Sequence, residues 1–168
     1  LSYENKLTMN MGELVPIMCM PIVPGDKFRV NTEALVRLAP LVAPMMHRVN
    51  VYTHYFFVPN RLVWDKWEDF ITKGIDGEDT PLLPRFSFNP DWPTQRAQYI
   101  TNGSLWDYLG LPSIKSIGGV AVSGSDINGV DAPNNFTVSA LPFRAYQLIY
   151  NEYYRDQNPT KFNPITNP

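Results

Sequence analysis

Arg48-Val-Asn-Val-Tyr-Thr-His-Tyr-Phe-Phe-Val58 carries the clearest fold signal in the chain. Val49, Val51, Thr53, Tyr55 and Phe57 recur at a period of two, with Asn50, Tyr52 and His54 between them. That period places the two sets on opposite faces of an extended strand. Nearly every residue is β-branched or aromatic, the types that suit a half-buried pleated surface. Pro59 then removes a backbone donor. The spacing predicts a strand over 48–58 with Val49, Val51, Tyr55 and Phe57 in a core.

Working outward, Asn60 stands where a helix N-cap belongs, its side-chain oxygen available to an orphan amide. A helix from Arg61 to about Lys73 would put Val63, Trp67, Phe70 and Ile71 on one stripe with Trp64 flanking. Asp65, Lys66, Glu68 and Asp69 cover the opposite face, and Gly74 suits a C-terminal stop. Trp64, Trp67 and Phe70 therefore join the predicted core. Upstream, residues 13–30 read as extended chain, with Pro16 and Pro21 confining it to an edge or bulged strand. Pro24-Gly25-Asp26 is a turn signal. Thr32-Glu33 opens a short helical turn that Pro40 and Pro44 cut off.

Downstream, residues 75–98 hold four prolines and read as a long loop. Ser104-Leu-Trp-Asp-Tyr-Leu109 predicts a short helix capped by Ser104 and stopped by Gly110 and Pro112. Residues at about 115–136, rich in Gly, Ser, Asn and Asp, predict a flexible hairpin or insertion, with Val120 and Val122 its only strand signal. A last helix runs from Pro142, favourable in a first turn, to about Arg155, with Phe143, Tyr146, Ile149, Tyr150 and Tyr153 on one stripe.

Composition limits the function classes. The 168 residues suffice for one domain. Charged residues are only 18 % and prolines number 16, which disfavours long helices and leaves surface suited to burial against partners. A net charge of −2 exerts no global pull on nucleic acid or membrane. Apolar runs are interrupted well short of the about 18 residues a membrane helix needs. The start at Leu1 without methionine and the stop at Ile165-Thr-Asn-Pro168 suggest a fragment or processed product of something longer.

Catalytic and metal chemistry find little support. His47 and His54 lie seven apart, on opposite faces of a strand, and cannot jointly chelate a metal; with one cysteine no zinc site is expected. Cys19, in an apolar proline-bounded run, reads as a buried inert thiol. No nucleophile elbow, P-loop or dinucleotide glycine pattern appears. Asp65, Glu68 and Asp69 fit a solvated helix face better than paired acid–base carboxylates. Arginines outnumber lysines and aromatics are abundant, as in single-strand binders, yet the aromatic stripes have helical core spacing.

Longer stretches resemble a known family. Leu1-Ser-Tyr-Glu-Asn-Lys-Leu-Thr8, Gly12-Glu-Leu-Val-Pro16, Pro24-Gly-Asp26 and Val36-Arg-Leu-Ala-Pro-Leu-Val-Ala-Pro44 are similar to the major capsid proteins of the Microviridae, particularly the gokushovirus group. So are Met46 to Trp64, Trp67-Glu-Asp-Phe-Ile-Thr72, Ser104-Leu-Trp-Asp-Tyr-Leu-Gly-Leu-Pro112 and Leu141 to Asp156. The resemblance implies a mainly β fold, an eight-stranded viral jelly roll with long loop insertions and two or three short helices. Residues 1–168 would be one incomplete, N-terminal portion of that domain, supplying only its first strands. It further implies a T=1 icosahedral phage shell, built in the host bacterial cytoplasm and enclosing single-stranded DNA. Partners would be other capsid subunits and other virion proteins, with no membrane, catalysis or cofactor. By that analogy Arg144 and Arg155 are assigned as DNA-phosphate contacts. Two other classes compete: a lectin-like ligand-binding β domain using Trp92 and Trp106 in exposed loops, and a hydrolase using Asp65 and Glu68.

Overall fold

A computed structural model describes residues 2–88, 102–111 and 136–157. The chain, expected as one incomplete domain, divides into two units: Leu1–Cys19 with Val58–Pro168, and Met20–Phe57.

In the first unit the elements run α1 (Asn60–Val63), α2 (Trp67–Thr72), β1 (Arg85–Phe88), α3 (Leu105–Tyr108), β2 (Phe136–Ser139), α4 (Leu141–Ile149) and a π-helical turn, Tyr150–Tyr154. β1 and β2 pair antiparallel with Arg85 opposite Ser139 and Phe86 opposite Val138. The Ala140 amide extends the ladder by donating to the Pro84 carbonyl at 2.9 Å. β1 corrects the expectation of a loop throughout 75–98. Arg-Phe-Ser-Phe alternates, but four residues beside Pro84 are too few to stand out as a strand.

The helix predicted over 61–73 is broken at Trp64, whose backbone is extended (φ −152°, ψ 112°). The break has a physical reason. It leaves Trp64 5 % exposed, with its ring 6.3 Å from that of Trp67 and 5.3 Å from that of Phe70. Burying about 200 Å² of indole contributes roughly 5 kcal/mol, against about 1 kcal/mol net for each helical hydrogen bond forgone. Asn60 is not the N-cap; Pro59 precedes the first turn and no side chain caps it. The stop after α2 does fall at 73–74, with Lys73 and Gly74 both at positive φ.

α3 and α4 match the predicted positions. Ser104 sits at the N-cap of α3 but its side chain makes no capping bond. The Asp107 carboxylate instead accepts from the Gly103 amide at 2.8 Å. Phe143 on α4 joins Phe86 of β1 (5.0 Å, edge-on) and Trp106 of α3 (5.7 Å). Strand pair, α3 and α4 thus share one aromatic seam. The π turn closes with the Arg155 amide donating to the Tyr150 carbonyl at 2.8 Å. A wider turn shifts the face of every later side chain. Tyr153 consequently leaves the predicted stripe and is exposed.

The second unit, Met20–Phe57, contains no helix or strand. Its predicted turn is present: the Asp26 amide donates to the Val23 carbonyl, and the Asp26 carboxylate accepts from the Val23 amide, both at 3.1 Å. The strand expected over 48–58 and the edge strand expected within 13–30 carry no ladder among the described residues. The helical turn after Thr32 is absent too; the Thr32 hydroxyl hydrogen-bonds that of Tyr55. Local conformation at 52–56 is nonetheless strand-like. The rings of Tyr52, His54 and Phe56 follow one another at 6.5 and 6.2 Å, near the rise of two extended residues, about 6.6 Å. A strand needs a neighbour for its amides and carbonyls, and the only described ladder is spent between β1 and β2. The predicted insertion at about 115–136 lies outside the described residues, apart from Phe136.

Candidate functional site

The most buried side of the last helix is polar. Arg144 is 7 % exposed and Asn151 4 %, two helical turns apart on one face. The Arg144 guanidinium donates from Nη1 to the Val63 carbonyl at 3.1 Å, 81 residues away. The Gln147 amide donates to Asn151 Oδ1 at 3.2 Å. A buried arginine persists only when its donors find acceptors. Here one of them reaches a carbonyl at the end of α1, just before the chain breaks to bury Trp64. Arg144 therefore clamps α4 to α1, a role that competes with its assignment to DNA phosphate. Arg155 is half-buried. Sequence reading missed the clamp because a lone arginine in an amphipathic helix looks like a solvated one.

Of the predicted core residues, Trp64 is buried and Trp67 half-buried, while Phe70 lies at the edge of their cluster. Val49, Val51, Tyr55 and Phe57 are 41, 58, 56 and 74 % exposed. Among the described residues they are not shielded from solvent.

Other predicted groups are scattered. His47 and His54 are exposed, as are Asp65, Glu68 and Asp69. No group of three or more His, Cys, Asp or Glu among the described residues could hold a metal ion. Trp106 is buried in the aromatic seam, which removes it as an exposed ligand platform; Trp92 lies outside the described residues. Cys19 is exposed rather than buried, although partial desolvation raises its thiol above the usual range. No described helix is long and apolar enough to cross a membrane.

Two tyrosines absent from the predicted site tie down the N-terminal segment. Tyr108 donates its hydroxyl to the Thr8 carbonyl at 2.8 Å, and Tyr146 donates to the Leu14 carbonyl at 2.9 Å. Desolvation raises both phenols, with Glu13 adding to each, Asp107 to Tyr108 and Tyr150 to Tyr146. A phenol raised by folding stabilises the fold fully below the ordinary tyrosine value near 10 and ceases to do so as pH climbs through the folded value. Residues 2–19 are therefore expected to gain amide exchange above pH about 10, beyond the intrinsic rate increase. Tyr108→Phe with Tyr146→Phe should loosen them already at pH 7 and flatten that dependence; an unchanged exchange pattern would contradict the two anchors.

This geometry describes a structural scaffold: buried clamps, aromatic seams and a long exposed apolar segment. Residues 1–166 match the family described as Capsid protein (F protein). The chain is 36 % identical to Capsid protein VP1 of Chlamydia phage 1 over 98 % of its length and 25 % of that relative's. It is 36 % identical to Capsid protein VP1 of Bdellovibrio phage phiMH2K, over 94 % of this chain and 25 % of the relative. With Capsid protein VP1 of Spiroplasma virus 4 the identity is 31 %, over 89 % and 23 %. The chain thus spans about a quarter of the length of these curated relatives. Its exposed apolar segment and its structural clamps both lie within the matched stretch, and the chain belongs to the phage capsid protein (F protein) family, with gokushovirus-like Microviridae capsid proteins among its relatives.

Proposed function

We propose that this chain is the N-terminal portion of a structural subunit that assembles with copies of itself into a small icosahedral shell around single-stranded DNA. The family match along residues 1–166 carries this reading. Exposure of Val49, Val51, Tyr55 and Phe57 supports it, because an alternating apolar face left in water demands covering. In the proposal, 48–58 becomes a strand of a jelly roll once the rest of the subunit supplies neighbours, and the long loops meet adjacent subunits. The chain's work is then packing energy and shape, with no chemical turnover. Arg155 retains the assignment as a phosphate contact at the shell interior; Arg144 does not. Expressing the complete reading frame and imaging the product tests the proposal. Closed shells of uniform diameter are expected, and a permanently monomeric product under all assembly conditions would refute it.

A further inference from the structure

We infer that the stretch Met20–Phe57 of one subunit is a basic, apolar arm that seats on an acidic ridge, Asp65–Asp79, of a second copy. The net charge of −2 conceals a division. The arm carries Lys27, Arg29, Arg37 and Arg48 against only Asp26 and Glu33. Asp26 is turned onto its own backbone, accepting from the Val23 amide at 3.1 Å. The ridge carries Asp65, Glu68, Asp69, Asp76, Glu78 and Asp79 against only Lys66 and Lys73.

Both surfaces are also apolar. Leu35, Val42 and Met46 stand almost wholly in water on the arm, while Phe70, Ile71 and Ile75 are exposed along α2 and the turn that follows it. Each surface carries what the other lacks, and every copy of the chain presents both. Exposed ion pairs are worth only about 0–1 kcal/mol apiece. Apolar burial would therefore supply the affinity, and the charges would fix register and exclude arm-on-arm or ridge-on-ridge contacts. Two different patches meeting head to tail make a heterologous contact, which generates a ring where its rotation closes. The inference rests on the self-assembly reading and names one surface that assembly uses.

Carbodiimide coupling of lysine to carboxylate in particles of the complete protein tests it. Lys27 is the arm's only lysine, so Arg29→Lys and Arg37→Lys add conservative reporters. Peptides joining these lysines to 65–79 are expected in the covalent dimer and larger bands, and not in the monomer band. Reversing the ridge (Glu68→Lys with Asp69→Lys) should cut particle yield several-fold, and adding Arg29→Glu with Arg37→Glu should restore it. Links confined to the monomer band, particles without such links, or ridge reversal without effect on yield would each overturn the inference and leave the capsid reading standing. Failure of the unaltered protein to form particles at all would overturn both.

Discussion

Arg144→Ala is expected to destabilise the fold by about 2–4 kcal/mol, since a hydrogen bond to a charged donor is worth roughly 1.5–3 kcal/mol and the buried stem loses its packing as well. The cause is local. Truncation leaves the Val63 carbonyl without its guanidinium partner, beside a tryptophan that is buried only because the chain turns there. Arg144→Met should cost less, because it keeps most of the stem while still abandoning the carbonyl. Urea unfolding followed by tryptophan fluorescence reads both, since Trp64 and Trp106 are buried reporters. A residue reaching out to DNA would behave differently: its removal would leave the midpoint in place and alter only salt-dependent DNA retention. An unchanged unfolding midpoint for Arg144→Ala would therefore return Arg144 to the phosphate-contact assignment.

Trp64→Ala should have the larger effect, about 3–5 kcal/mol, the range for truncating a buried aromatic. Trp64 is 5 % exposed and closes the ring cluster with Trp67 and Phe70. Trp67→Ala should cost less than half as much, because Trp67 is only half-buried. The double variant Trp64→Ala/Arg144→Ala should fall short of the sum of its parts, since Arg144 bonds the residue next to Trp64 and such neighbours couple. If the two losses simply added, the clamp and the tryptophan would be independent features. The same unfolding series measures all three variants.

The sequence was most legible where local signals act alone. Pro142 in a first turn, the Pro24-Gly25 turn and the stop near Gly74 are fixed by backbone geometry, and each appears where expected. Trp64 was correctly marked as core, but the break that buries it was invisible, because helical periodicity does not register the gain from one large ring leaving the helix. The Arg144 clamp needed knowledge of a carbonyl 81 residues away. The π turn likewise depends on no residue pattern that spacing reveals, and it moved Tyr153 off its stripe. The strand expected at 48–58 is the instructive case. Its alternation is genuine, visible in the even spacing of the Tyr52, His54 and Phe56 rings. A ladder, however, is a property of two strands, and one stretch of sequence specifies only half of it.

A high-resolution reconstruction of particles formed by the complete reading frame tests the account most directly. It should show 48–58 hydrogen-bonded into a sheet, with Val49, Val51, Tyr55 and Phe57 shielded from water. Only solitary, unassembled molecules, or shells in which those four side chains still face solvent, would contradict it.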